Sequence, residues 1–233
     1  MGDVTSTVLD LPTEPTEAEP AEAAEPTEPA EGAAPSRIIP SSAAMWEQCP
    51  RRWWYRYIDR LPEPPPGPHM VLGSFVHRIL ELLLDHPPEE RTRDAARILA
   101  RTVWQTEIVN SPEWASLDLT DEEALEFRRR SWSTVEAYFS FQRPSEVKPI
   151  ERELEVLVEI DGVPFRGFID LVEDEGTDGA PAVVVTDYKT GMPPRLGTPY
   201  TERQIAERLL QPLWYAAALE ALGEHVPTRA RLL

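Results

Sequence analysis

The chain has 233 residues, of which 41% are hydrophobic, enough for one domain with a real core. Its formal net charge of −18 runs against the basic footprint that phosphate binders usually carry, although half of that charge sits on carboxylates between Asp3 and Glu31. No apolar run is long enough to cross a membrane, and a lone Cys49 excludes an internal disulfide and a cysteine-held zinc or iron–sulfur site. The expected surroundings are therefore reducing and cytoplasmic.

Residues 1–36, rich in Pro and Glu and without a basic or aromatic side chain, cannot bury enough apolar surface to offset ordering, so an acidic disordered tail is predicted there. The folded domain is then 37–233, with a helical part over 41–142 and a core over 148–233. Ser41 or Ser42 caps a short helix through MWEQCPRRWWYRYIDRL, followed by a stiff LPEPPPGP linker. The aromatics of that helix, Trp53, Trp54, Tyr55 and Tyr57, read as core rather than as a platform for stacked bases.

Helices follow over roughly 69–86, 89–109 and 121–142. The first carries Leu72, Phe75, Val76, Ile79, Leu80 and Leu83 at a spacing of three and four, which makes one buried face. The period then changes to two. ERELEVLVEI (151–160) alternates, Asp161-Gly162 is a favoured hairpin turn, and 163–173 returns antiparallel. The β-branched run in AVVVTDYKTG reads as a strand buried on both faces; a helix around 201–222 comes next, and TRARLL looks like the start of a further strand that stops short. This order predicts an α/β (α+β) domain: a mixed central sheet with flanking helices, preceded by a helical segment.

Asp187 and Lys189 stand two apart at the end of a strand, so both leave one face about 6–7 Å apart. A carboxylate for Mg²⁺ beside an ammonium for a phosphate or its attacking water needs that arrangement. Glu146-Val147-Lys148 has the same pattern, but no apolar strand precedes it. Of the 23 basic residues only Lys148 and Lys189 are lysines, and a lysine kept among so many arginines suits a role for a compact point charge. Asp170 lies within an apolar strand next in space to Asp187, a costly position unless a cation lies between them. His77 is on the buried helix, with Glu81 four residues on and able to hold its second ring nitrogen. Gln211 and Tyr215 also stand four apart, although Pro212 is expected to start or kink their helix.

In this order the motifs resemble the RecB-like branch of the PD-(D/E)XK nuclease superfamily. Cys49-Pro50 with its aromatics, Gly73 to His77, Gly167 to Asp170, Asp187 to Lys189 and Gln211 to Tyr215 match its pattern over about 40–233. The resemblance implies a restriction-endonuclease-like core and a Mg²⁺- or Mn²⁺-dependent deoxyribonuclease, an exonuclease acting in DNA repair or recombination. His77, Asp170, Asp187 and the carbonyl of Tyr188 would bind metal. Lys189 would be catalytic together with Asp187 and Asp170, and Gln211, Tyr215 and Glu81 would support the site or the DNA. DNA and a helicase or other repair protein are the implied partners. Relatives with an iron–sulfur cluster use three further cysteines absent here, so no cluster is expected and Cys49 becomes a packing residue. The competing expectation is a catalytically silent DNA-binding or scaffold subunit of a helicase–nuclease complex.

Overall fold

Alternation in the hairpin and the β-branched third run produce a four-stranded sheet in the order β1-β2-β3-β4 (β1, Pro149–Ile160; β2, Val163–Asp174; β3, Val183–Asp187; β4, Pro227–Leu232). The computed structural model describes residues 36–177, 182–191, 201–223 and 225–233. The acidic tail predicted over 1–36 lies outside the described residues, its last position excepted. β1–β2 and β2–β3 are antiparallel and β3–β4 is parallel, so the sheet is mixed as predicted. Asp161 and Gly162 turn the hairpin with φ of 51° and 80°, the two positive values that a two-residue turn of this hand requires.

The helices, in chain order, are α1 (Pro40–Gln48), α2 (Pro50–Tyr57), α3 (Pro68–Asp85), α4 (Arg93–Val103), α5 (Pro112–Ala115), α6 (Asp121–Phe141) and α7 (Thr201–Leu222). The helix expected through 45–61 is two helices, because Pro50 has no N–H to continue the first. Ser42 sits in the first turn of α1, bonded to both the N–H and the carbonyl of Ile39, rather than at the cap itself. None of α2 is buried, and Trp54 is 51% exposed, so its aromatics are not the core that the sequence suggested. Cys49, between the two helices, is exposed rather than the packing residue expected. Pro212 lies inside α7, which runs on through it. No described helix is long and apolar enough to cross a membrane.

The sheet is covered on both faces. On one, α3 buries its predicted face with α4 and α6, and Leu171 and Tyr188 join that cluster. On the other, Tyr215, Ala218 and Leu219 of α7 pack on Val156, Phe165, Ile169, Val172 and Val185. β4 is fastened by an ion pair between the half-buried Arg231 and the buried Glu173, which also accepts from Thr186 Oγ1 at 2.9 Å. Burying that carboxylate is tolerable only because its lone pairs are met.

Gly167 explains how close α7 comes. A Cβ there would lie 2.6 Å from a ring carbon of Tyr215, which is itself buried. Overpacking of this kind costs about 1–3 kcal/mol. Gly167→Ala is therefore expected to lower the thermal midpoint by several degrees and to quench any activity that depends on the Tyr215 hydroxyl. Calorimetric melting checks it, and a wild-type melt would mean that Tyr215 gives way freely.

Candidate active site

Alternation along β2 fails at one place, and the site is built there. Ile169 and Val172 face α7, while the consecutive Asp170 and Leu171 both turn toward α3. β1 does the same at the same level. Arg152 reaches Asp85 at the end of α3 at 2.5 Å, and the next residue, Glu153, turns toward His77. The flanking pairs Leu154↔Ile169 and Arg152↔Leu171 stay in register, so the irregularity is confined to Glu153 opposite Asp170. Glu153 has φ of 45°, a left-handed conformation that costs a non-glycine residue about 1 kcal/mol or more. Glu153 and Asp170, opposite each other, share the α3 face, and the break brings Arg152 and Leu171 to that face as well.

His77 Nδ1 lies 3.4 Å from Asp170 Oδ1 and 4.0 Å from Glu153 Oε1, and the three residues can offer ligand atoms all within 4.8 Å of one another. Its other nitrogen, Nε2, is 3.1 Å from the Tyr188 carbonyl. A carbonyl only accepts, so Nε2 carries a proton and the Nδ1 edge faces the carboxylates. The Tyr188 N–H donates to Asp170 Oδ2 at 2.6 Å. One peptide segment thus orients both the imidazole and the carboxylate. Glu81 does not hold His77: Arg78, one turn away on the same helix, takes its carboxylate at 2.7 Å and leaves that role to the Tyr188 carbonyl.

Asp187, 1% exposed at the end of β3, faces Lys189 instead of joining the three-residue group; Nζ is 2.7 Å from Oδ2. Lys189 Nζ also donates to Gln211 Oε1 at 3.0 Å, and Gln211 Nε2 donates to the Tyr215 hydroxyl at 2.9 Å. The residues Asp187, Lys189, Gln211 and Tyr215 therefore form one connected chain. In the rival triplet, Glu146 pairs with Arg143 and Lys148 is exposed.

Charge is crowded here. Burial, reinforced by the charge of Asp170, pushes Glu153 up to about 7. Burial likewise lifts Asp187 to about 6, with Lys189 opposing and Asp170 adding. At His77 burial works against the charged form, but the Asp170 hydrogen bond and the charges of Asp170, Glu153 and Asp187 outweigh it and hold the imidazole above its ordinary value. Carboxylates that repel one another around an imidazole fit a divalent cation, which would relieve all of these shifts together. The nitrogen among the donors suits Mn²⁺ at least as well as Mg²⁺.

Glu153 is the member that sequence reasoning missed, since an alternating ERELEV reads as a solvated face. Hairpin arithmetic could have found it: with Ile160 opposite Val163, Asp170 stands across from residue 153.

Metal binding must displace the protons that the crowded carboxyls hold, so affinity should rise with pH through about 6 to about 7, with protons released. Mn²⁺ titration calorimetry in two buffers of different ionisation enthalpy checks the sign. His77→Ala, Glu153→Ala and Asp170→Ala should each weaken binding by more than about tenfold. Unchanged affinity in Glu153→Ala would remove that residue from the site.

No curated protein matches this chain. The sequence profile of one family matches residues 37–233, the span that holds every element of the sheet and the site, and the chain belongs to the PD-(D/E)XK nuclease superfamily.

Proposed function

We propose that the chain is a metal-dependent deoxyribonuclease of the RecB-like kind, an exonuclease that hydrolyses phosphodiester bonds during DNA repair or recombination in the cytoplasm, alongside a helicase or similar partner. The observation that carries the nuclease reading is the place of Lys189: an ammonium held by Asp187 and Gln211 beside the carboxylates grouped at His77. The repair setting and the partner rest on the order of the five motifs.

His77, Glu153 and Asp170 would hold the cation, with Asp187 completing the acidic set. When bound, Mg²⁺ or Mn²⁺ supplies charge neutralisation at the phosphate and a water of lowered pKa. The chain does the positioning. Tyr188 fixes Asp170 through its N–H and His77 through its carbonyl, so two groups are preorganised by one rigid peptide. The ammonium is ion-paired with Asp187 and donates to Gln211, and a further N–H directed at a phosphate oxygen or the attacking water would act where charge develops during displacement. The Tyr215 hydroxyl holds Gln211 in turn, so the packed face of α7 braces an exposed lysine.

Loss of one preorganised group of this type costs about 10²–10³ in rate. Lys189→Ala and Lys189→Arg are both expected to lose cleavage on that scale while keeping Mn²⁺ affinity, because a planar guanidinium aims its donors differently. Lys148→Ala should change little. The assay uses end-labelled single- and double-stranded DNA with Mg²⁺, Mn²⁺ or EDTA. Wild-type cutting by Lys189→Ala, or no metal-dependent cutting by the wild type, would overturn the reading.

A further inference from the structure

Helical spacing puts Arg97 and Arg101 on one face of α4, and Leu125, Arg128, Arg129 and Trp132 on one face of α6. The two faces line a cavity of about 350 Å³. Its floor is apolar, from the buried Phe75 and the half-buried Ala100 and Trp104, and its rim is basic. In a chain where carboxylates outnumber basic side chains 41 to 23, four arginines and no carboxylate among the described lining residues are a local inversion of charge. Like charges at this spacing repel, so something must hold them. Two are held by indoles: the Arg97 guanidinium lies 5.0 Å from the centre of the Trp132 ring and that of Arg128 lies 5.1 Å from the centre of the Trp104 ring. Carboxylates contribute little. Arg97 has Glu136 at 3.7 Å and Arg129 has Glu126 at 4.0 Å, all four exposed to solvent, while among the described residues Arg101 and Arg128 have no carboxylate within 4.0 Å.

We infer that this groove docks an acidic protein segment that carries an apolar side chain the size of Leu or Phe between its carboxylates. The volume suits one such side chain and the backbone beside it, and the arginines of the rim stand where the flanking carboxylates would fall. DNA fits less well. Each indole already has a guanidinium over its ring, and Trp104 is further enclosed by Phe75, Trp114 and Phe127, so neither offers the open platform on which a base stacks. Phe75 and His77 are two positions apart on α3, about 200° around its axis, so the groove lies behind that helix as seen from the carboxylates at His77. A partner seated there leaves Lys189, which does not line the groove, unobstructed.

The test uses the full chain without metal or DNA, so its outcome is separate from that of the nuclease reading. The probe is a labelled peptide of Asp and Glu with one central Phe, and its anisotropy is compared with that of the same peptide with Ser in place of Phe and of a labelled oligodeoxynucleotide. The Phe peptide should bind about tenfold more tightly than the Ser peptide, the order expected for burying one large apolar side chain. Arg101→Glu and Arg128→Glu should each weaken its binding about fivefold or more, because each removes an attraction and adds a repulsion. Arg143→Glu, the same change at an exposed arginine outside the groove, should leave it near the wild-type value. Arg101 has no ring or carboxylate partner among the described residues, so Arg101→Glu keeps the test open if Arg128→Glu fails to fold, which circular dichroism checks. No binding of the Phe peptide by the wild type, equal binding of the Ser peptide, or an equal loss in Arg143→Glu would overturn the inference. So would oligonucleotide binding that falls in Arg101→Glu while peptide binding does not, since the groove would then be a nucleic-acid surface.

Discussion

Asp170 and Glu153 stand across from each other between the registered pairs Leu154↔Ile169 and Arg152↔Leu171, so both leave the sheet on the face that meets His77. The rest of the site is arranged around that cross-strand pair. A one-residue slip in register would put Glu153 on the face opposite Asp170, and only a single carboxylate would meet the imidazole. In the observed register two carboxylates converge on the histidine, and a third, Asp187, stands near enough to add to the crowding. The left-handed backbone of Glu153 and the raised proton affinities of Glu153 and Asp187 are two costs of one arrangement. A bound cation offsets both, which is the physical reason to read the pair as functional rather than accidental.

The two faces of the sheet have different tasks. The α3 side supplies the histidine and buries Tyr188, whose main chain then ties Asp170 to His77. The α7 side supplies Gln211 and Tyr215, which brace Lys189 from behind. Asp187 sits at the end of β3, between Val185, which packs on the α7 side, and Tyr188, which joins the α3 cluster. A lysine just past the end of that strand is exposed enough to reach a substrate and is still held at two points. Gly167 belongs to the same design, since it lets the phenol of Tyr215 come within contact distance of the sheet.

Much of this was legible in the sequence because periodicity is a direct image of burial. The α3 face, the Asp-Gly hairpin, the mixed sheet and the pairing of Asp187 with Lys189 all follow from spacing alone. Glu153 was hidden because an acidic residue in an alternating strand reads as solvated, and only the cross-strand register shows that it stands opposite Asp170. Glu81 misled for a related reason: helical spacing correctly brings it near His77 along the axis, but it cannot tell that Arg78 competes for the carboxylate. The aromatic residues of α2 read as core by composition and stand exposed, since hydrophobicity alone does not say whether another element covers a helix. The groove between α4 and α6 needs both helices, and no local pattern encodes an empty space.

The central claim is that the hairpin and α3 make a cation site beside Lys189. A crystal structure of the full chain grown with Mn²⁺, with data collected to record the metal's anomalous signal, tests this most directly. The account predicts a peak bounded by His77 Nδ1, Asp170 and Glu153. A chain that binds Mn²⁺ in solution but shows its peak elsewhere, with these three side chains uncoordinated, would contradict it.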